Sequence, residues 1–463
     1  MARVDAPPAR ASLLRARAAL RRHFGHPDFR PAQGRVIEAV LAGRDVLAVM
    51  PTGGGKSVCF QIPALLRPGL TVVLSPLIAL MQDQVEAARA RGLPAGLLNS
   101  TLTAEARRAV LGAVGAGDVR ILYAAPERLQ RLVVELGDLG AWPSLLVVDE
   151  AHCISEWGHD FRPAYRTIGR ARAALGWPQA MAVTGSATRD VRTDIIETVG
   201  LGRSHAPRPR RGLAKLVASF DRPNLRFSVL SARTNRDRLL ALVPRLRREP
   251  GCGIVYVPTR NLSEAVARVL WESGVRAFPY HAGLTKERRS ATLERFLSND
   301  ARVVVATCAF GMGIDKPDVR FVFHWAMPAT PESYYQEAGR SGRDGLTSQC
   351  VMLFCPGDLA HHRRLLEVTF PPERLVERAW ADSAVLARLP ESVRESVERL
   401  RAELKPERGR VWWTRVRRRR RLAEARLRAL EHYARGTECR RRVLLRWFGE
   451  RLGSCAGCDV CEE

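Results

Sequence analysis

An apolar run, Val46-Leu47-Ala48-Val49-Met50, delivers the chain into Pro51-Thr52-Gly53-Gly54-Gly55-Lys56-Ser57, and a helical pattern begins directly afterwards. A buried strand that enters a helix through three glycines belongs to a βα unit. Such units build parallel sheets with helices on both faces. Glycines at 53–55 let backbone N–H groups approach a phosphate closely at the positive end of a helix. Lys56 is placed to reach the β- and γ-phosphates of a nucleotide, and the Ser57 hydroxyl to ligate Mg²⁺. Composition sharpens the point. Of 74 cationic residues only Lys56, Lys215, Lys286, Lys316 and Lys405 are lysines, so this loop keeps a compact point charge in a chain that otherwise writes arginine. The bland alternative, a glycine turn in a strand-to-helix joint, is disfavoured by Gly-Lys-Ser in this context.

The alternation continues from 45 to about 199. Thr71-Val72-Val73-Leu74, Ile121-Leu122-Tyr123 and Leu145-Leu146-Val147-Val148 are short apolar runs, each followed within three residues by Pro, Ser or Asp. They read as buried parallel strands of a doubly wound α/β domain. A Pro/Arg-rich stretch at 205–212 reads as a linker. A second block follows with Gly253-Ile254-Val255-Tyr256-Val257, Ala277-Phe278-Pro279-Tyr280, Val303-Val304-Val305-Ala306 and Phe321-Val322-Phe323, and it ends near Cys355. Beyond about Pro356 the strand signal disappears, and residues 360–450 are charged and helix-prone.

A net charge of +26 points to a polyanionic partner, either nucleic acid or an anionic membrane surface. Arginine bias also arises from genome composition, so charge favours nucleic acid without fixing it. No apolar run approaches the ~20 residues of a membrane span. Residues 1–22 are Arg-rich with the single acid Asp5 and no apolar core, which excludes a secretory signal. They read as a basic amphipathic helix, with a transit peptide as the alternative. Cys59, Cys153, Cys252, Cys308, Cys350 and Cys355 are scattered through apolar or motif segments and read as small buried hydrophobes in a reducing, cytoplasmic protein.

Three further constellations carry chemistry. Asp149-Glu150-Ala151-His152 follows the run 145–148. Asp149 is placed to hold Mg²⁺, Glu150 to orient and deprotonate an attacking water, and His152 to link the nucleotide site to the second domain. Gln336-Glu337-Ala338-Gly339-Arg340-Ser341-Gly342-Arg343 reads as a helical segment with two arginines on one face. Arg343, with Arg340 beside it, is the expected arginine finger for phosphoryl transfer, making hydrolysis depend on domain closure. Cys439 and Cys455-x-x-Cys458-x-x-Cys461 supply four thiolates, which suits tetrahedral Zn²⁺ with an iron–sulfur cluster as the rival.

From about Phe24 to Cys461 the chain resembles the RecQ helicases. The motifs come in order: Phe29-Arg30-Pro31-Ala32-Gln33, the glycine loop, Ser75-Pro76-Leu77-Ile78-Ala79-Leu80-Met81-Gln82-Asp83-Gln84, Ala125-Pro126-Glu127-Arg128 and Asp-Glu-Ala-His. Then follow Ser155-Glu156-Trp157-Gly158-His159-Asp160-Phe161-Arg162-Pro163, Tyr280-His281-Ala282-Gly283-Leu284, Ala306-Thr307 with Phe310–Pro317, and the block ending at Arg343. Met50, where the general phosphate-loop pattern has Gly, is a departure expected of helicases. The resemblance implies that Arg30 and Gln33 recognise adenine, with Thr52 and Gly53–Ser57 holding the phosphates. It also implies that Trp157, His159, Phe161 and Arg162 lie in an aromatic-rich loop sensing single-stranded DNA, and that Gln336 joins the arginines in catalysis. The cysteines then resemble the family's zinc module. Thr184-Gly185-Ser186-Ala187-Thr188 departs from the usual Thr-Ala-Thr-Ala-Thr but keeps hydroxyls.

The expected architecture is α/β: two tandem RecA-like doubly wound parallel-sheet domains, residues 1–207 and 208–357, a helical basic connector, 358–438, and a small zinc-binding module, 439–463. The form is expected to be short, without the family's winged-helix and small helical C-terminal domains. The resemblance implies an ATP-dependent 3′-to-5′ DNA helicase of recombination and repair. Its cofactors are ATP, Mg²⁺ and Zn²⁺. It acts on single-stranded and forked duplex DNA, with no membrane partner. It is expected to be a cytoplasmic, nucleoid-associated monomer that can meet repair proteins. The alternatives are a translocase with weak unwinding, an RNA helicase, and a zinc-stabilised DNA-binding module with a dead motor. In the connector, Trp412 and Trp413 precede a basic run at 417–421; it reads equally as a DNA contact or as a solvated helix face.

Overall fold

Runs of Val, Ile, Leu and Ala bounded by turn residues form parallel strands, because helices cover both faces and leave no side exposed to water. The computed structural model describes residues 9–51, 53–99, 101–156, 160–203, 212–310, 316–403 and 410–462. It divides into two compact units, one running to Phe220 and taking in 448–450, the other holding most of the remainder.

In the first unit the strands are β1 (Asp45–Val49), β2 (Leu70–Leu74), β3 (Ala95–Leu98), β4 (Ile121–Ala124), β5 (Pro143–Val148), β6 (Gln179–Thr184) and β7 (Leu213–Val217). They form one sheet in the order β3-β4-β2-β5-β6-β1-β7, and each pair is parallel. The core is built from Val46, Ala48, Phe60, Val73, Tyr123, Val147 and Met181, among others. The helix Ala9–Phe24 packs Ala16 and Leu20 against Ile37, Val58 and Ile62. Residues 1–8 and most of the predicted linker lie outside the described residues.

The compact unit runs past the expected division at 207/208. Leu213–Val217 pairs with β1, so the first unit extends to Phe220. The strand is an edge strand with mixed burial and an outward Lys215, which hides it from a search for continuous apolar runs. The second sheet contains β8 (Leu225–Ser231), β9 (Cys252–Tyr256), β10 (Ala277–Tyr280), β11 (Val303–Ala306), β12 (Val319–His324) and β13 (Ser348–Phe354), ordered β10-β11-β9-β12-β13-β8 and parallel throughout.

The connector 358–438 and the module 439–463 do not separate from this unit. Leu427, Leu430 and Tyr433 of the long helix Arg410–Arg435 share a core with Phe227, Tyr334, Cys439, Val443 and Cys458. A second cluster, with Phe370, Val376, Val397, Leu400, Trp413 and Val416, binds the connector helices to one another. Trp413 is therefore core, facing Trp380 with ring centroids 6.3 Å apart. Cys308 departs from the expectation of buried cysteines and is exposed, and Cys355 is half-buried. Among the described residues no helix is long and apolar enough to cross a membrane.

One buried ion pair ties the first sheet together. Asp45 is fully buried and its two oxygens accept from Arg172 Nη2 at 2.9 and 2.8 Å, from Ala180 N at 2.9 Å and from Gly202 N at 2.9 Å. Arg172 also donates to the carbonyls of Pro178 at 3.0 Å and Gly200 at 2.9 Å. Removing one partner leaves a buried charge unpaired, so Asp45→Ala is expected to lose about 3–5 kcal/mol of stability. A urea titration checks this as a lowered midpoint; a loss below about 1 kcal/mol would show that water solvates the orphaned guanidinium.

Candidate functional site

The end of β1 turns through glycines that backbone geometry requires. Gly53 and Gly55 have φ of 78° and 71°, and a Cβ on Gly55 would sit 2.2 Å from Gln33 Nε2. Arg30 and Gln33, at the start of the helix Pro31–Leu41, lie against this loop. Gln33 Nε2 donates to the carbonyls of Gly54 and Gly55, each at 3.2 Å, its Oε1 accepts from Arg30 N at 2.9 Å, and Arg30 Nη1 donates to the Gly53 carbonyl. The pair predicted to read a base therefore also holds the loop. Ser57 precedes the helix Val58–Leu66 and its side chain makes no capping bond. Thr52 lies outside the described residues.

Strand order brings the acidic pair to the same edge. β6 lies between β1 and β5, and the residues that follow β5 are Asp149 and Glu150. Glu150 adopts φ 45° and ψ 46°, a left-handed conformation unfavourable for a side chain with a Cβ. The turn aims its carboxylate at Lys56, Nζ to Oε1 at 3.0 Å. The other oxygen, Oε2, is buried without a hydrogen bond, with His152 Nδ1 3.3 Å away. His152 Nδ1 is also 2.8 Å from Thr184 Oγ1, at the end of the intervening strand. Asp149 is 4% exposed, and its Oδ1 accepts from Glu150 N at 2.9 Å.

Environment splits the two carboxyls. Burial, with the neighbouring Glu150 charge, pushes Asp149 up to about 6. Burial also acts to raise Glu150, but the Lys56 ammonium and His152 outweigh it and hold Glu150 below the usual carboxylate range. The result is one anion already balanced by a lysine and one that gains most from an arriving cation.

The loop after the acidic pair is only partly described. Trp157 and His159 lie outside the described residues. Phe161 is half-buried, and Arg162 donates to the Pro76 carbonyl at 2.6 Å and lies 3.6 Å from Asp160. Arg162 thus links this loop to the residues that follow β2.

In the second unit the segment 336–343 departs from the expected helix. The helix Pro331–Ala338 stops at Gly339, and Arg340 and Arg343 lie in the turns beyond it. Gly342 takes φ 57°, outside the right-handed helical region, and a Cβ there would meet Asn224 Nδ2 at 2.4 Å and the Leu346 carbonyl at 2.8 Å, so this turn requires glycine. Arg340 is 7% exposed and lies by the buried Tyr256 hydroxyl; Gln336 and Arg343 are half-buried. The helix is braced by residues that sequence reasoning missed. Glu337 Oε2 bonds His324 Nε2 at 2.9 Å, Tyr334 OH bonds Tyr433 OH at 2.8 Å, and Glu332 Oε1 bonds Arg426 Nε at 3.3 Å. Nothing in the local sequence marks a tyrosine pair 99 residues apart.

The four C-terminal cysteines converge, their sulfurs all within 4.8 Å of one another and Cys439 Sγ 3.9 Å from Cys458 Sγ. Zn–S bonds of about 2.3 Å in a tetrahedron place sulfurs about 3.8 Å apart, so the set fits one closed zinc site. Asp459 fixes the module to the sheet edge. Its oxygens accept from Arg440 Nε at 3.0 Å and from the β8 backbone at Val229 N, 2.9 Å. Cys458 makes an isolated parallel bridge with Phe227 of β8.

Comparison with known proteins bears on all three regions. Family profiles match as DEAD/DEAH box helicase over residues 30–194, helicase conserved C-terminal domain over 234–345, and RecQ zinc-binding over 395–462. The chain is 37% identical to the ATP-dependent DNA helicase RecQ of Haemophilus influenzae, over 95% of this chain and 62% of that protein. It is 37% identical to the protein of the same name from Bacillus subtilis, over 97% of this chain and 67% of that one. The chain thus spans about three fifths to two thirds of these relatives' lengths. Among solved structures, helicase Mss116p bound to single-stranded RNA and AMP-PNP superposes with TM-score 0.60 at 17% identity, over 94% of this chain and 88% of that one. The helicase MrfA bound to DNA gives TM-score 0.62 at 18% identity, over 76% and 52%. These two likenesses establish the fold, two RecA-like parallel-sheet domains, and the sequence relatives go further: the chain belongs to the RecQ family of helicases.

Proposed function

We propose that the chain is an ATP-driven DNA helicase that moves 3′ to 5′ on a single strand and opens duplexes in recombination and repair. The observation that carries this is the Lys56–Glu150 pair, 3.0 Å apart beside a glycine loop and a buried Asp149. The RecQ relatives support DNA as the track. The charge of +26 supports residence on a polyanion, and hence association with the nucleoid in the cytoplasm.

In this reading Gly53, Gly54 and Gly55 offer backbone N–H groups to the phosphates, with Thr52 beside them, and Arg30 and Gln33 read the adenine edge. Ser57 and Asp149 would hold Mg²⁺, which would supply positive charge to offset that of the phosphates. Lys56 exchanges Glu150 for the γ-phosphate. Losing that cation raises the basicity of Glu150 just as a substrate arrives. Its Oε2 takes the proton of the attacking water, the water oxygen bonds to the γ-phosphorus, and the bond to the bridging oxygen breaks, releasing ADP and phosphate. His152, through Thr184, orients Glu150. Arg343 and Arg340, with Gln336, neutralise charge developing on the transferred group. Trp157, His159, Phe161 and Arg162 meet the strand, and the Arg162 bond to Pro76 gives that loop a route to the sheet edge. Cys439, Cys455, Cys458 and Cys461 hold Zn²⁺ as a structural ion.

Lys56→Ala removes the phosphate contact, and ATP turnover on single-stranded DNA is expected to fall at least a hundredfold, about 2.7 kcal/mol or more in transition-state stabilisation. Unwinding of forks with a 3′ tail but not a 5′ tail, measured on the parent protein, checks the direction. Near-normal turnover by Lys56→Ala would overturn the phosphate-loop assignment.

Asp149 gives a pH prediction for the protein without nucleotide or metal. Its folded pKa of about 6 lies above the model-peptide value near 3.8, so its protonated form is favoured by folding and stability is lost as pH rises through that window. Asp149→Asn is expected to match the parent below about pH 4 and to exceed it by on the order of 2–3 kcal/mol above pH 6. Urea titrations in EDTA at pH 4 and 8 measure this; equal stabilities at both would refute the burial argument. For the zinc site, Cys458→Ser is expected to lower bound zinc from about one per chain to near zero by metal analysis. A folded variant retaining full zinc would remove Cys458 from the ligand set.

A further inference from the structure

The long helix Arg410–Arg435 divides into two faces with unusual regularity. Trp413, Val416, Ala423, Leu427, Leu430 and Ala434 face inward at three-, four- and seven-residue steps and are packed in cores. On the opposite stripe, positions 414, 418, 421, 425, 428, 432 and 435 carry Thr, Arg, Arg, Ala, Arg, His and Arg, and all but the half-buried Ala425 are exposed. No carboxylate lies on that stripe. The acids of this helix, Glu424 and Glu431, are on its flank, where they reach Arg428 at 3.9 Å and Arg435 at 3.0 Å. Neighbouring helices differ: Glu391–Glu403 exposes Glu391, Glu395 and Glu398 among its arginines. The sequence left open whether the basic run is a solvated face or a DNA contact. A solvated face gains by mixing signs along it; here the two acids sit to one side, beside Arg428 and Arg435, and the stripe positions themselves carry only neutral or basic residues.

We propose that this stripe, Arg418, Arg421, Arg428 and Arg435, is a docking surface for the phosphate backbone of duplex DNA. The inference rests on the helicase reading, and it supplies that motor with a hold on the duplex still to be opened. Geometry selects duplex over single strand. The four arginines lie along a rigid helix over about 25 Å, at 1.5 Å per residue. Single-strand sites interleave aromatics that stack on bases, whereas Trp413 points into the core and no aromatic other than His432 lies on the stripe. Cations without base-reading partners recognise phosphates regardless of sequence. The arginine ends of the flank pairs are exposed and the carboxylates half-buried, so these are weak, salt-screened pairs that phosphates can replace.

The test is binding of the full chain to a blunt duplex across a salt series, comparing the parent with a variant carrying Arg→Gln at 418, 421, 428 and 435. Each phosphate contact contributes about 0.9 to the slope of log K against log salt, so the slope should fall by about 3–4 and duplex affinity at moderate salt by about tenfold or more. Arg→Lys at the same four positions should largely restore the slope. A control with Arg→Gln at exposed Arg374, Arg378, Arg388 and Arg401 should change it little. Circular dichroism and zinc content verify that each variant is folded. An unchanged slope in the folded stripe variant, or an equal fall in the control, overturns the proposal. Absence of any DNA-stimulated ATPase in the parent would instead overturn the helicase reading.

Discussion

Parallel pairing governs everything functional in this chain. Every strand in each sheet points the same way, so every connection must cross over and every strand's C-terminal end opens on the same edge. In the first unit β2, β5, β6 and β1 are consecutive neighbours. The residues that follow them are Ser75-Pro76, Asp149-Glu150, the segment after Thr184, and the glycine loop. Segments more than a hundred residues apart therefore meet because of strand order alone. Thr184, 2.8 Å from His152 Nδ1, stands beside the acidic pair because β6 lies between β1 and β5.

Within that frame local strain and charge do the fine placement. A glycine could hold the Glu150 conformation without cost, whereas here a buried glutamate takes it and places its carboxylate 3.0 Å from Lys56. The neighbouring carboxyls then diverge because one has an ammonium at 3.0 Å and the other does not. In the second unit the arginines at 340 and 343 sit in turns whose path depends on Gly342, and the helix before them is pinned by the Tyr334–Tyr433 and Glu332–Arg426 contacts. The connector that sequence treated as a separate segment is thereby part of the body that positions those arginines.

The contrast between what could and could not be read from the sequence follows from range. Central strands such as Leu145–Val148 are wholly buried, so composition alone reveals them. Edge strands β7 and β8 mix exposed and buried positions and carry no such mark. The cysteine cluster was legible because ligand chemistry demands four sulfurs at close spacing, and they do converge. The segment 336–343 was misread as one helix because two arginines three apart look helical, while the collision a Cβ at 342 would meet comes from Asn224, Leu346 and Ser348. The bracing tyrosines and the Asp45–Arg172 pair, 127 residues apart, depend on tertiary proximity that no local pattern encodes.

That last pair also has an evolutionary consequence. A buried ion pair contributes little net stability compared with well-packed apolar residues of similar volume, so the sheet could in principle do as well without it. Reaching such a variant, however, needs two changes at distant codons, and either one alone strands a charge in the interior. With native stabilities of only about 5–15 kcal/mol, losing about 3–5 would take a large share of the margin in the intermediate sequence. Asp45 and Arg172 thus form a unit whose replacement is hindered at the intermediate, where one charge is stranded, rather than at the end point.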